Sequence, residues 1–173
     1  MTEREGATTI HGNPLTVCGD VLSVGDKAPE FVLRDKDQKW VKLSDSAGQV
    51  RLISVVPSLD TPVCATQTRR FNEESAMLPA NVEVITVSGE HPINQGRWCA
   101  GEGIDRIQVL SDHYDMNFGN AYGLNIKDWR LLQRAVMVIG KDDTLEYIAY
   151  VPEVSDEPDY DMALAMTMQA TLK

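Results

Sequence analysis

The chain has 173 residues, of which 43% are hydrophobic, so its length and composition fit one domain that builds its own core. It carries 26 acidic and 16 basic residues, and this net charge of -10 argues against a general affinity for nucleic acid or for anionic membranes. The first residues hold no apolar signal core and no segment approaches transmembrane length. We therefore expect a cytoplasmic protein that does not contact the membrane.

Two β-hairpins are predicted near the start of the chain. Residues 1–6 match no pattern and are expected to form a disordered tail, which leaves residues 7–173 as a single domain. The first hairpin spans Thr8–Val17 with its turn at HGNP, and the second spans Phe31–Leu43 with its turn at DKDQ.

A buried strand and a helix are expected next. The apolar run Leu52–Val56 is typical of a central strand that is covered on both faces. The following helix should begin near Pro62 and reach about Met77, because Thr61 is a suitable N-cap and proline is favoured at the first helical position.

The remaining chain alternates between strands and helices. The predicted strands are 82–87, 107–110, 134–139 and 144–151, and the predicted helices are 92–101, 115–122 and 158–172. The order of elements indicates an α/β sandwich with a mixed sheet. Ligands of such sheets bind beyond the carboxyl ends of the strands, and Cys64 follows a strand at such an end.

The chain contains only three cysteines, Cys18, Cys64 and Cys99. Their odd number and wide spacing do not fit a structural disulfide framework, and in a reducing compartment a disulfide is more often transient and catalytic. No pair has CxxC spacing and the three histidines are scattered, so we expect no zinc site and no other cofactor.

Cys64 falls in the first turn of the helix predicted from Pro62. Backbone N–H groups there lack helical partners and the helix dipole is positive, so a thiolate is stabilised. We expect the N-cap Thr61 to direct its hydroxyl toward the amides of this turn, and Pro57 to help shield the sulfur. A cysteine taken alone is more often a small buried hydrophobic residue, and it is these neighbours that favour catalysis.

The reaction that suits such a thiolate is attack on a peroxide. A cysteine hydrolase needs a histidine base, and no such signature is present. Peroxide reduction needs instead hydrogen-bond donors and a cation, and it leaves a sulfenic acid that condenses with a second thiol. Arg134, Arg70 and Arg97 are the candidates for this cation, and the position of Arg134 before a buried strand is only a weak argument in its favour.

Pro57, Thr61 and Cys64 match the pattern P-x-x-x-T-x-x-C of the peroxiredoxins. The surrounding PSLDTPVC resembles the thiol peroxidases, the atypical two-cysteine branch of that family. The resemblance extends from Ile10 to about Ala165 and includes the stretches HGNPLTV, RWCAGEG, FGNAYGL, RAVMVI and EPDYDMALA.

The resemblance implies a thioredoxin-like fold with an extra N-terminal β-hairpin. It also implies a thioredoxin-dependent peroxidase that reduces hydrogen peroxide and alkyl hydroperoxides, commonly as a homodimer. By position, Cys64 is similar to the peroxidatic cysteine, Thr61 to its hydroxyl partner and Pro57 to the shielding proline. Arg134 is similar to the active-site arginine, and Cys99 to the resolving cysteine that forms a disulfide with Cys64 in the same subunit.

Three parts of the chain depart from the family, the first being the unmatched residues 1–6. Cys18 has no place in a two-cysteine mechanism, and the segment Lys127–Gln133 fits less well, which leaves the preferred peroxide open. Two other functions also remain: a peroxide sensor that passes its oxidation to a protein partner, and a disulfide reductase. The absence of CxxC argues against the reductase.

Overall fold

The computed structural model describes residues 1–173. Its strands are β1 (Glu3–Ile10), β2 (Asn13–Cys18), β3 (Val32–Arg34), β4 (Trp40–Lys42), β5 (Val50–Val55), β6 (Val82–Ser88), β7 (Gln108–Ser111), β8 (Asn125–Ile126), β9 (Leu131–Leu132), β10 (Ala135–Ile139) and β11 (Leu145–Tyr150). Its α-helices are α1 (Pro62–Glu74), α2 (Pro92–Glu102), α3 (Asn117–Tyr122) and α4 (Tyr160–Thr171). Short 3₁₀ helices occupy Leu43–Ser46 and Ser75–Met77.

A seven-stranded mixed sheet forms the centre of the fold, in the order β11-β10-β5-β6-β7-β3-β4. Strands β5, β6 and β7 are parallel to one another, whereas β10 pairs with β5, and β3 with β7, in antiparallel register. The connections β5-α1-β6 and β6-α2-β7 are the helical crossovers that parallel pairs require. The predicted α/β sandwich with a central mixed sheet is therefore confirmed.

Both faces of the sheet are covered, which explains why β5 is mostly apolar, with Arg51 and Ser54 as its only polar residues. All six residues of this strand are buried. On one face Leu52 packs in a cluster with Phe71 of α1 and Ala163 of α4. On the other face Ile53 packs in a larger cluster with Phe118 of α3. Each large side chain buried in this way contributes about 1.5–3 kcal/mol to stability.

The first hairpin belongs to a second sheet, in the order β1-β2-β8-β9. His11 and Gly12 form its turn, and both have positive φ (48° and 80°), as a tight two-residue hairpin turn requires. The predicted hairpin is thus confirmed.

The expectation of a disordered tail over residues 1–6 is wrong for residues 3–6, which belong to β1. Glu3 lies opposite Cys18, and the Arg4 side chain donates to the carbonyls of Gly19 (2.9 Å) and Gly123. The side chain of Arg4 thus reaches residues far along the chain, which local sequence patterns do not reveal.

The other elements lie close to their predicted positions, with one omission. Two short strands were not predicted: β8, which lies just before the segment Lys127–Gln133, and β9, which lies within it. Each has two residues and exists through its pairing in the second sheet rather than through any periodicity of its own. No helix of the structure combines the length and apolar character that a membrane crossing needs.

The topology gathers distant residues at one edge of the sheet. Ala135, the first residue of β10, lies opposite Val55, the last residue of β5. Arg134 therefore comes next to the loop that leads from β5 to Cys64. The first hairpin reaches the same edge, because Thr9 N–H donates to the carbonyl of Pro152 (2.9 Å) and Val154 N–H donates to that of Thr9 (2.8 Å).

Candidate active site

Cys64 occupies the third position of α1, as predicted. The first helical hydrogen bond of this turn is donated by Ala65 N–H to the carbonyl of Thr61 (2.8 Å), so the amides of Val63 and Cys64 lie ahead of it. The Cys64 side chain is 1% exposed and packs with Val56 and Leu59. The thiol thus lies beside the positive end of the helix dipole, where a thiolate is stabilised.

Arg134 directs its guanidinium at the Cys64 sulfur. Its Nη2 lies 3.3 Å from Cys64 Sγ, and the arginine itself is 1% exposed. The guanidinium is fixed by donating from Nη1 to Gln67 Oε1 (2.9 Å) and from Nε and Nη2 to the carbonyl of Val154 (3.1 and 2.7 Å). A cation held in this way stabilises a thiolate and can donate to an oxygen that binds beside it.

Gln67 was missed by the sequence analysis. It is fully buried, and its Nε2 donates to Ser54 Oγ (2.7 Å), which orients Oε1 toward Arg134. A signal was available: Gln67 lies three residues after Cys64 and four before Phe71, on the helix face that packs against the sheet. A buried glutamine needs hydrogen-bond partners, and Ser54 is the one polar residue in the run Leu52–Val56.

Thr61 is the N-cap of α1, as predicted, but its hydroxyl does not cap the helix. Its Oγ1 donates to the carbonyl of Ser58 (3.1 Å) and forms no hydrogen bond with the first-turn amides. The expected orientation is therefore wrong, because a nearer acceptor in the preceding turn competes for the hydroxyl. Thr61 still lines the same pocket as Cys64.

Cys64 and Arg134 open onto a pocket of about 430 Å³. Four of the predicted site residues line this pocket: Cys64, Pro57, Thr61 and Arg134. Pro57 is buried in the pocket wall. The rest of the wall is mainly apolar and includes Ile10 and His11 of the first hairpin, together with Val63, Ile126, Trp129 and Leu131. The hairpin and the segment Lys127–Gln133 thus complete the pocket.

The two alternative cations lie elsewhere. Arg70 pairs with Glu74 (2.9 Å) and Asp161 (3.4 Å), and its guanidinium lies over the Tyr160 ring. Arg97 is exposed on α2 and does not line the pocket. Arg134 is therefore the arginine that contacts Cys64.

Cys99 lies outside this pocket. It is 9% exposed on α2 and lines a second cavity of about 480 Å³ that shares no residue with the first. Burial raises the pKa of its thiol to about 11. All three cysteines are free, and Cys18 is partly buried in β2. No group of three or more His, Cys, Asp or Glu side chains is arranged to hold a metal ion.

The sequence model of the Redoxin family matches residues 23–164. The chain belongs to the Redoxin family. The match leaves out the first hairpin, so that hairpin is an addition to the redoxin core that nevertheless contributes to the pocket wall.

Two relatives can be aligned with most of this chain. A protein named thiol peroxidase from Halalkalibacterium halodurans is 53% identical over 156 residues, which cover 90% of this chain and 93% of the relative. Another thiol peroxidase, from Streptococcus sanguinis, is 48% identical over 91% of this chain and 96% of its own length.

Solved redoxin structures show the same fold. A peroxiredoxin-like protein from Aquifex aeolicus superimposes with a TM-score of 0.88 at 37% identity, over 94% of this chain and 96% of its own. A thiol peroxidase from Chromobacterium violaceum gives a TM-score of 0.83 at 19% identity, over 95% and 97% of the two chains, which shows the shared fold alone.

Glu153 fastens the added hairpin to this redoxin core. Its carboxylate accepts hydrogen bonds from Ser155 N–H (2.8 Å), Gly12 N–H (2.9 Å) and the hydroxyls of Ser155 and Thr9 (2.7 and 3.1 Å). These hydrogen bonds lower the pKa of Glu153 from its ordinary 4.5 to about 2, and the bond from Ser155 N–H makes the largest contribution. Because the folded-state value is depressed, the stabilisation is fully present above pH 4.5 and is lost as the pH falls toward 2.

We expect the Gly12 and Ser155 amide signals in NMR spectra to titrate with a midpoint near pH 2, because both amides donate to Glu153. Glu153→Gln should abolish this titration and speed hydrogen exchange at Gly12, whereas Glu5→Gln, on the same hairpin, should change neither. A midpoint near 4.5 in the unaltered protein would contradict the assigned role of Glu153.

Proposed function

We propose that this chain is a thiol peroxidase in which Cys64 reduces hydrogen peroxide and alkyl hydroperoxides. The observation that carries the proposal is the 3.3 Å approach of Arg134 Nη2 to Cys64 Sγ at the start of a helix, inside a pocket large enough for a small peroxide. The naming of its relatives as thiol peroxidases supports the same activity.

In the first step the Cys64 thiolate attacks the terminal peroxide oxygen. An S–O bond forms as the O–O bond breaks, and the departing alkoxide takes a proton to leave as an alcohol, or as water from hydrogen peroxide. Arg134 is placed to donate to the reacting oxygens, and Pro57 limits the access of water. Thr61 can align the peroxide once its hydroxyl turns from Ser58 toward the pocket.

In the second step Cys99 attacks the Cys64 sulfenic acid, forming an intrasubunit disulfide and releasing water. A disulfide requires Cα atoms about 4.4–6.8 Å apart. In the reduced chain both cysteines lie within formed helices and line separate cavities. We therefore infer that the first turn of α1 and the segment of α2 around Cys99 unwind locally during this step.

The pocket wall supports organic hydroperoxides as substrates besides hydrogen peroxide. Ile126, Trp129 and Leu131 give it an apolar side that can bury an alkyl group, while Arg134 and Thr61 provide the polar end. We propose thioredoxin as the dithiol that reduces the disulfide, and a homodimer as the assembled form; both rest on the family resemblance.

The proposal is tested by peroxide turnover with thioredoxin, thioredoxin reductase and NADPH. A peroxidase consumes many equivalents of peroxide per chain, whereas a sensor consumes one and then stops. Mass spectrometry of the oxidised protein should identify a Cys64–Cys99 disulfide. Consumption of a single equivalent would favour the sensor, and a Cys64–Cys18 disulfide would overturn the assignment of Cys99.

A further inference from the structure

Cys64 and Cys99 lie at opposite ends of their helices and therefore at opposite ends of the helix dipoles. Cys64 lies at the start of α1, whereas Cys99 lies near the end of α2, where its carbonyl accepts the closing hydrogen bonds from Gly103 and Ile104. A helix C-terminus disfavours negative charge, and α2 has no basic residue in its last turn. Burial adds to this effect and raises the pKa of the Cys99 thiol to about 11.

The position of Cys99 is a problem for the second step of the proposed reaction, because the attacking species is the thiolate. With a pKa of about 11, roughly one thiol in ten thousand is ionised at pH 7. A cation near the sulfur, supplied from outside the helix, opposes the effect of burial and keeps this fraction from being lower still.

Lys36 is such a cation. It belongs to the turn between β3 and β4 and lines the same 480 Å³ cavity as Cys99. A Cβ placed on Gly96 would come within 3.1 Å of Lys36 Cβ, so the root of the lysine lies against α2. Gly96 is three residues before Cys99 and thus on the same helix face.

The turn that carries Lys36 is held by hydrogen bonds, and Lys36 forms no ion pair. Asp35 Oδ1 accepts the N–H groups of Asp37 (2.9 Å) and Lys39 (3.0 Å), which fixes the backbone around Lys36 and occupies the neighbouring carboxylate. None of the ion pairs of the structure involves Lys36. Its ammonium is therefore not already neutralised by another side chain.

Other charges lie nearby, and Lys36 is the one that favours the thiolate. Asp35 and Asp105 line the cavity, and Glu90 acts on Cys99 in the opposite sense to Lys36. Glu90 is engaged elsewhere, since it accepts from Leu59 N–H and from Ser88 Oγ.

We propose that Lys36 is a positioning residue for the resolving step, which stabilises the Cys99 thiolate on folded α2 before that thiolate attacks oxidised Cys64. This role rests on the proposed peroxidase function. The Cys99 sulfur forms the S–S bond, the S–O bond of the Cys64 sulfenic acid breaks, and the hydroxide released takes up a proton, equal to the one Cys99 lost, to become water. Lys36 stays protonated throughout and accelerates the step through its charge.

The test uses Lys36→Gln, with Lys36→Arg as the conservative variant and Lys39→Gln as the matched control in the same turn. In the background Cys18→Ser/Cys64→Ser, where Cys99 is the only thiol, the rate of iodoacetamide alkylation is measured against pH. Because Lys36 is exposed and its charge is screened by solvent, we expect Lys36→Gln to move the profile to higher pH and to slow alkylation at pH 7.5 by about twofold to fivefold. Lys36→Arg and Lys39→Gln should follow the parent profile.

A second measurement uses chains that retain all three cysteines. After one equivalent of peroxide, Lys36→Gln should form the Cys64–Cys99 disulfide more slowly by a similar factor, while the rate of Cys64 oxidation stays unchanged. An unaltered alkylation profile, or an equal shift in Lys39→Gln, would overturn the proposal. If Cys64 were not oxidised at all, the peroxidase function would fail, and the alkylation profile would still decide the role of Lys36.

Discussion

Replacing Cys64 by serine should reduce peroxide turnover by at least about a thousandfold, because serine presents no thiolate and cannot form a sulfenic acid. The substitution exchanges one small atom for another at a buried site, so the fold should persist. The rate is measured with the thioredoxin-coupled assay, and circular dichroism with a thermal melt checks that the variant is folded.

The other two cysteines are the controls for this result. Cys99→Ser should still consume one equivalent of peroxide but should not form the intrasubunit disulfide, so that turnover with thioredoxin slows sharply. Cys18 is partly buried in β2 and lines neither cavity, so Cys18→Ser should turn over at the unaltered rate. Full activity of Cys64→Ser would show that the reactive thiol is another cysteine.

Much of the fold could be predicted because its elements carry local signals. The run Leu52–Val56 indicated a strand buried on both faces, and Thr61 followed by Pro62 marked the start of α1. Strands β8 and β9 carry no such signal, since two residues have no period and their pairing depends on the first hairpin. Residues 3–6 likewise join β1 through contacts with distant parts of the chain.

The candidate site was predictable in its residues and less so in its geometry. Cys64 and its helix turn are local, whereas Arg134 is 70 residues away and reaches the sulfur through the pairing of β10 with β5. That pairing is set by the whole sheet, so the sequence alone could not exclude Arg70 and Arg97 as the cation of the site. The support of Arg134 by Gln67, and the bond from the Thr61 hydroxyl to Ser58, depend on distances that a linear pattern does not contain.

Replacing Arg134 should slow the oxidation of Cys64 without removing the thiol. Arg134→Met deletes the donor 3.3 Å from the sulfur, and we expect the second-order rate with hydrogen peroxide to fall by about 10²–10³-fold, as for other preorganised donors. Arg134→Lys retains the charge but places its donors on a single nitrogen, which cannot replace the separate nitrogens that reach Gln67, Val154 and the sulfur, so most of the loss should remain. Stopped-flow mixing, followed by trapping of the sulfenic acid, measures this step apart from resolution by Cys99.

Arg51 provides a matched control, since it too is a fully buried arginine. It lies near the start of β5, opposite Ile139, at the far end of the strand from Val55, and it pairs with Asp143. Both arginine-to-methionine variants should lose stability because buried acceptors lose their donor. Only Arg134→Met should slow Cys64 oxidation in the protein that remains folded. If Arg51→Met slowed it equally, the effect of Arg134 would reflect loosening of the sheet rather than its contact with the sulfur.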